Sequence, residues 1–484
     1  MELINGMLIF NFVTNIIFVL TLGWYLITLL QWYDYRVERV FFKHHKPLWH
    51  IIYFLIPLGA YYSTGDFFGI FFYFAVLPSI YLWNKKLDKK LVLTWRVKRF
   101  FILLFGLTLF QNFLCTLKEG CELYGVFIPL LIAVVGSIGI EKFLYEAFKK
   151  NAIAKLTRME NLKIICITGS YGKTSIKNFT TQLLKEKYTV HSTPRSVNTV
   201  GGIIRDINEN LDEFATQVYV CEAGARERGD IYKIAQLLNP HIVIVGEVGE
   251  QHLEYFKTLD NIKRTKLELL QSNRLEIAYV HHSVTSERHD RVQFFGNKIT
   301  NMNATLDGTS FDVVINYKHM HLETSVLGSF QATNINAAAL VADRLNFYVE
   351  DIVSGVKALE SVEHRLQRID AGGKIILDDG YNGNIEGMRE GIRLCSLHNG
   401  RKVIVTPGLV ESSDKLNLEL ISEINKVFDV VIVTGKLNAT LFDKNLKVAQ
   451  KIMLNDKATL TKILAQMTYS GDIIYFANDA PNFI

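Results

Sequence analysis

From residue 8 to residue 32 the chain carries no charged side chain. That stretch exceeds the roughly 20 apolar residues a helix needs to cross a bilayer. Four more apolar runs follow, at about 48–63, 67–83, 100–115 and 124–140. Only Thr64, Gly65 and Asp66 separate the second run from the third, so these two read as a tight helical hairpin or a re-entrant pair. Trp and Tyr mark the ends of the runs, as they do at membrane–water boundaries. Residues 1–150 are therefore expected to form a transmembrane helical region of about five spans. A cleaved signal peptide fits poorly: the first five residues lack a basic segment, and no small-residue cleavage site follows the first run.

Charge orients this region. Arg36, Arg39, Lys43 and Lys46 follow the first run. Lys85, Lys86, Lys89, Lys90, Arg96, Lys98 and Arg99 follow the third, and Lys142, Lys149 and Lys150 follow the fifth. The other connections hold only Lys118. The positive-inside rule puts the N-terminus outside and everything after residue 150 in the cytoplasm. The expected location is a bacterial cytoplasmic (inner) membrane, multi-pass, with the bilayer itself as a partner. The basic loops set orientation, and binding of anionic lipid headgroups is the alternative role for them. Cys115 and Cys121 lie near the outer face, where pairing and two reduced thiols are both open.

The remaining ~330 residues read as an ordinary α/β chain, short enough for about two domains. Five Cys in 484 residues exclude a disulfide scaffold, and a net charge of +5 is too mild to argue for a nucleic-acid partner. Neither Cys-x-x-Cys nor His-Glu-x-x-His occurs, so no structural zinc is expected. Cys166 and Cys221 fall in strand-like runs and read as core.

Residues 163–168 form a short apolar run bounded by turn residues, which predicts a buried strand. Gly169, Ser170, Tyr171, Gly172, Lys173 and Thr174 follow, and then a helical pattern to Lys185. Strand, Gly-rich turn and helix are the context a phosphate-binding loop requires. Lys173 can then reach β/γ-phosphates, and the Thr174 hydroxyl can take Mg²⁺. A second buried run, 218–221, ends at Glu222, and a carboxylate at a strand end beside such a loop suits Mg²⁺ or water. A third, 241–246, leads to His252, and a helix bearing Lys266 follows. Ligands collect at such strand ends in open α/β sheets.

This order of motifs resembles the Mur ligases, the ATP-dependent amide ligases of peptidoglycan precursor synthesis. The phrase Ile-Thr-Gly-Ser-Tyr-Gly-Lys-Thr at 167–174 looks like the family's phosphate loop. Glu222 with Gly224, His252, Lys266, Asn334, His364 with Arg365, and Asp-Asp-Gly-Tyr-Asn-Gly-Asn at 378–384 follow in the family's order. The resemblance covers about 163–410. It implies an α/β fold: a P-loop central domain at 151–361 and a C-terminal Rossmann-like domain at 362–484, after the transmembrane region. The motifs look most like the member that adds D-alanyl-D-alanine to UDP-N-acetylmuramoyl-tripeptide through an acyl phosphate, and these two molecules are the expected substrates. Apolar runs stand where cytosolic members have a uridine-binding domain.

The resemblance also implies roles. Gly169 to Thr174, Asn334, Arg365 and Asp378 would hold ATP, with Asp378 orienting the ribose or closing the hinge. Thr174, Glu222, His252 and Lys266 would hold two Mg²⁺ ions, with Lys266 carbamylated. Lys173, Glu222, His252, Lys266 and Arg365 would carry the chemistry. Asn198, Tyr381, Asn382 and Asn384 would line the substrate. Asn334 also reads as the N-cap of an Ala-rich helix. Residues 283–327 alternate in polarity and predict antiparallel strands, and 355–363 reads as the hinge. Four buried strands, at 374–377, 402–405, 430–433 and 472–476, predict the second α/β domain. Two other readings remain: the same chemistry on a lipid-linked or other membrane-borne carboxylate, and a non-catalytic cell-wall scaffold. Membrane enzymes of the lipid-linked steps are possible neighbours under any of them. An ATP-driven transporter is disfavoured, since the membrane runs hold almost no internal charge.

Overall fold

A computed structural model describes all residues except 1, 34, 43–45, 88, 118–124, 196, 250–255, 286, 288–289, 382, 411, 455–456 and 480–484. The chain divides into two compact units, Met1–Phe148 and Lys149–Ile484.

Among its described residues the first unit forms helices and no strands. Among the described residues three helices are long and apolar enough to cross a membrane: Ile9–Trp32, Trp95–Cys115 and Phe127–Arg158. The two middle runs fold as shorter helical pieces, and each contains a π-helical turn, Ile51–Leu55 and Phe72–Val76. Both π turns lie just before a proline, Pro57 and Pro78. Proline lacks an N–H and crowds the preceding turn, and a locally widened helix accommodates it. Phe18, Leu22, Tyr25, Phe72 and Phe100 form the centre of the packing. Cys115 is disulfide-bonded, whereas Cys121 lies outside the described residues.

The second unit contains two six-stranded sheets. The first comprises β1 (Lys163–Thr168), β2 (Val190–Ser192), β3 (Val218–Glu222), β4 (Ile242–Val245), β5 (Ile277–His281) and β6 (Val292–Phe295). Its order is β2-β3-β1-β4-β5-β6, and every pairing is parallel. Successive side chains of a strand point to opposite faces. Ile165 and Ile167 accordingly enter one core, and Ile164 and Cys166 enter the other. Burial on both faces is why these strands read as continuous apolar runs. The end of the helix Phe127–Arg158 belongs here too, with Ala152 and Leu156 buried against the second core.

Of the stretch expected to be antiparallel, only β7 (Ile299–Ala304), β8 (Thr309–Ile315) and β9 (Lys318–Thr324) are so. β6 instead extends the parallel sheet. Gly355 falls inside the helix Val349–Lys357, so the connection to the last domain begins after it.

The second sheet comprises β10 (Gln367–Ala371), β11 (Lys374–Asp379), β12 (Lys402–Thr406), β13 (Val430–Thr434), β14 (Gln450–Leu454) and β15 (Ile473–Ala477). Its order is β10-β11-β15-β12-β13-β14, with only the β10 edge antiparallel. Ile404 and Val431 face one core, and Val403 and Val430 face the other. Two edge strands, β10 and β14, join the four expected from sequence.

Candidate active site

The site forms where β1 and β3 end side by side. Gly169 (φ 153°) and Gly172 (φ 74°) bend the chain out of β1 in conformations that L side chains rarely adopt. A Cβ on Gly169 would lie 3.2 Å from the Gly246 backbone, and one on Gly172 would collide with the Asn334 side-chain carbonyl. The Ser170 and Tyr171 N–H groups donate to the Glu247 carbonyl at 2.8 and 3.2 Å, which anchors the turn to the segment after β4. Gly172 then opens the helix Lys173–Lys185. The free N–H groups at such a helix start favour an anion.

Lys173 lies over this loop. Its Nζ donates to the carbonyls of Gly169 (2.9 Å) and Ser170 (2.8 Å). Burial pushes its ammonium pKa down; the Glu222 carboxylate opposes this, and Arg365 adds to it. Thr174 donates its hydroxyl to Glu222 Oε2 at 3.0 Å, and Asn198 Nδ2 donates to Glu222 Oε1 at 3.3 Å. Glu222 is only 3% exposed, so both carboxylate oxygens are held in a fixed direction.

Lys266, on the helix Leu259–Leu267, is 4% exposed. Burial chiefly, and Lys173 in addition, push its pKa down to about 7, against the pull of Glu222, Asp230 and Glu268. Glu268 accepts from the N–H groups of Gly229 (3.0 Å) and Tyr232 (3.1 Å), closing the start of the helix Asp230–Leu238.

Asn334 is not an N-cap. The helix begins at Ser329, after Gly328, and Asn334 is buried within its interior. The Ala-rich pattern ran further back than the capping signal suggested, because Ser329 N–H finds its acceptor in Glu390 Oε1 at 2.7 Å, far away in sequence. Asn334 Nδ2 donates to Gln331 Oε1 at 2.8 Å.

The C-terminal domain supplies Arg365. His364 (φ 59°) and Leu366 (φ 55°) flank it, both left-handed. Non-Gly residues of this kind cost ~1–3 kcal/mol each and persist only when their surroundings impose them. The surroundings here are two fully buried acids. Asp378 Oδ2 lies 2.6 Å from His364 Nδ1, and Asp378 Oδ1 accepts from Gly380 N–H at 3.1 Å. Asp379 accepts from Leu366 N–H at 3.0 Å and from the Tyr475 hydroxyl at 3.3 Å. The turn they hold presents Arg365, whose Nη1 donates to the Tyr381 carbonyl at 2.5 Å. Burial pushes its pKa down, while Asp379 and Glu222 act the other way.

Tyr381 is 56% exposed and its ring meets His364 edge-on. Asn384 caps the helix Ile385–Ser396 by accepting from Gly387 N–H at 2.7 Å. His252 and Asn382 lie outside the described residues. Among the described residues no cluster of three metal-binding side chains forms.

Two residues went unnoticed in the sequence. Lys177 Nζ, buried one turn along the helix from Lys173, donates to the Thr193 carbonyl at 2.7 Å. The Thr193 hydroxyl in turn accepts from Glu222 N–H at 3.1 Å. The i, i+4 spacing from Lys173 was the available signal. Glu222 is the carboxylate whose charge acts on Lys173, Lys266 and Arg365 alike, and this convergence of three basic side chains suits a polyanion.

Residues 167–342 match the Mur ligase middle domain. The UDP-N-acetylmuramoyl-tripeptide–D-alanyl-D-alanine ligase of Buchnera aphidicola subsp. Acyrthosiphon pisum is 27% identical over 293 residues, covering 55% of this chain. The match spans 64% of that relative, just under two thirds of its length. The Bacillus subtilis ligase of the same name is 24% identical over 338 residues, 65% of this chain and 72% of that one. Among solved structures, MurF ligase from Thermotoga maritima in complex with ADP superposes with a TM-score of 0.59 at 25% identity, covering 69% of this chain and 80% of that one. Residues 167–342 are thus similar to the middle domain of the Mur ligases, and the fold around them is similar to that of a solved Mur ligase.

Proposed function

We propose that the chain is an ATP-dependent, ADP-forming ligase that joins D-alanyl-D-alanine to UDP-N-acetylmuramoyl-tripeptide. Its N-terminal helices would hold it as a multi-pass protein in a bacterial inner membrane with the catalytic part in the cytoplasm. The domains would be 1–150, 151–361 and 362–484. The observation that carries the reading is the approach of Lys173, Thr174, Lys266 and Arg365 to Glu222 at the end of β3.

In this mechanism the phosphate loop and Lys173 bind the β- and γ-phosphates of ATP, and Asn334, packed on Gly172, lies toward the nucleotide. A carboxylate oxygen of the tripeptide attacks the γ-phosphorus. The bond to the β,γ-bridging oxygen breaks and ADP leaves. Lys173 and Arg365 face the charge that spreads over the transferring phosphoryl group. The D-alanyl-D-alanine amine then attacks the acyl carbon of the acyl phosphate, loses a proton, and phosphate leaves with the C–O bonding pair. Asp378 acts indirectly, by fixing His364 and so the turn that aims Arg365. Asn198, Tyr381, Asn382 and Asn384 border the substrates.

The donor set fits Mg²⁺, a hard cation that takes oxygen ligands. Thr174 and Glu222 would hold one ion, with His252 and a carbamylated Lys266 at a second. Bound Mg²⁺ neutralises phosphate charge. Carbamylation fits a lysine buried beside another buried lysine, since CO₂ addition replaces a confined cation with an anion.

The test is phosphate release from ATP by the detergent-purified full chain, with each substrate alone and with both, and with Lys173→Ala as control. Turnover only with both, abolished in the control, is expected. A folded, ATP-binding protein that gives no turnover would overturn the acceptor assignment. The long apolar helices favour a second reading in that case, a lipid-linked muramoyl peptide as acceptor, and the same assay with that substrate decides it.

A further inference from the structure

The helix Ser329–Arg344 carries Asn334 against the phosphate loop, yet its first residues are held by the second sheet's half of the molecule. Leu327 belongs to the core on one face of that sheet, and Phe330 packs against it. A Cβ on Gly328 would lie 2.9 Å from Leu366, the residue after Arg365. The first N–H groups of a helix need acceptors from outside it, and Gly328, at the N-cap, has no side chain to offer one. Glu390 supplies it from the helix Ile385–Ser396: its Oε1 accepts from Ser329 N–H at 2.7 Å, and the side chain is 8% exposed.

Arg393 fixes that carboxylate. Its Nε donates to Glu390 Oε2 at 2.7 Å and its Nη2 to Oε1 at 2.9 Å. The same Nη2 donates to the Ala304 carbonyl at 2.9 Å, at the end of β7. Glu390 and Arg393 thus grip two separate segments that lead to the first sheet's site. From Ser329 the chain runs to Gln331, fully buried, whose Oε1 accepts from Asn334 Nδ2 at 2.8 Å. Asn334 lies roughly one and a half turns along the helix from Ser329. It packs so closely on Gly172 that a Cβ there would sit 2.3 Å from its Oδ1. A helix is stiff over that length, so whatever seats its first turn also aims Asn334.

We propose that Glu390 is a positioning residue for the nucleotide. It seats the first turn of this helix and so holds Gln331 and Asn334 in register with the phosphate loop. A carboxylate at a helix start also meets the positive end of the helix dipole, and Arg393 keeps it there. The inference rests on the proposed ATP site and involves nothing of the acceptor.

The test is calorimetric titration of the detergent-purified full chain with ADP, with thermal melts alongside to establish folding. Glu390→Ala should weaken ADP binding about fivefold or more. Glu390→Gln keeps a side-chain carbonyl that accepts from Ser329 N–H, and should bind within about twofold of wild type. Glu423→Gln is the control. It removes the partner of Arg389 Nε on the same helix, so it should shift the melt alone and leave ADP affinity unchanged. Unchanged ADP affinity in folded Glu390→Ala would overturn the proposal. A Glu390→Gln chain as weak as Glu390→Ala would also overturn it, since the charge and not the cap would then be what acts. If Glu390→Ala fails to fold, Arg393→Met decides: it frees Glu390 to swing away and should weaken ADP about threefold, and unchanged affinity there would overturn the proposal. The titration needs no acceptor, so a failed ligase assay leaves its result standing. A wild-type chain that binds no ADP would overturn the ATP reading and this inference together.

Discussion

At the end of β1 the chain turns through left-handed Gly172 and presents Lys173. At the end of β13 it turns through left-handed Gly435, and no neighbour lies within 4 Å of where a Cβ would sit. The two parallel sheets therefore share a device, but only the first makes a site with it. The contrast extends to buried charge. The second sheet buries Asp378, Asp379 and Asp479, each closed by local partners: His364, Leu366 N–H and Tyr475, and Lys457 with Thr434. In the first, Lys177 and Lys266 are buried and Lys173 is half-buried, and Lys173 and Lys177 donate to backbone carbonyls rather than to the buried acids Asp206, Glu222 and Glu268, so ion pairing is incomplete. A fold tolerates buried charge when it is paired. Where the pairing is incomplete, a ligand of opposite sign would complete it, and the proposed function gives that role to ATP at the first sheet.

The comparison breaks most directly at the two glycines. Gly172→Ala places a Cβ against Asn334 in a left-handed turn. ATP turnover should fall by about 10²–10³-fold, the scale of losing a preorganised electrostatic element. Gly435→Ala has the same backbone strain and free space around it, so it should cost roughly 1 kcal/mol of stability and leave turnover intact. Steady-state phosphate release together with thermal melts distinguishes the two. Equal losses in both would mean that the left-handed turn, rather than the loop against Asn334, is what matters.

Arg365 sharpens the comparison, because it is the second sheet's contribution to the first sheet's site. Arg365→Lys keeps the charge but loses the planar fork. Turnover should drop by about 10²-fold with ATP affinity changed less, since the group acts on charge that develops during transfer. Kinetics at saturating ATP, set beside nucleotide-binding titrations, measure the split. A loss confined to ATP affinity would reassign Arg365 to ground-state binding.

The legible parts of this molecule are those where local pattern and burial coincide. β1 with its glycine turn and helix, and β3 ending in Glu222, could be read because parallel strands buried on both faces are continuous apolar runs. The edge strands β10 and β14 were missed because half-exposed edges lack that signature. Asn334 was misplaced because its helix starts where a distant acid, Glu390, satisfies the first N–H, and no local motif encodes that. Asp378 was read as orienting the ribose or closing the hinge. In the structure its two oxygens are engaged by His364 and Gly380, a contact between segments 14 residues apart. Lys177 escaped because a lysine on a helix ordinarily faces water, and only the fold shows it buried against Thr193.

The smallest effect concerns stability, and it again belongs to the first sheet. His281, at the end of β5, is 6% exposed. Its Nδ1 lies 2.8 Å from the Ser283 hydroxyl, and its ring packs on Phe295 and His282. Burial, with His282 adding, lowers its pKa to about 4, whereas an unfolded histidine titrates near 6.5. Between those values the unfolded chain binds a proton that the folded chain refuses, so stability rises with pH across the window and is lost as pH falls from about 6.5 toward 4. The loss between pH 7 and pH 5 should be on the order of 1–2 kcal/mol from this group. His241, also lowered to about 4, contributes in the same direction. His281→Phe removes the titrating group and should flatten the slope of unfolding free energy against pH by that amount, as measured by denaturant melts at several pH values. An unchanged slope would mean that His281 takes up its proton in the folded sheet after all, and that the first sheet's intolerance of unpaired charge does not extend to its far strands.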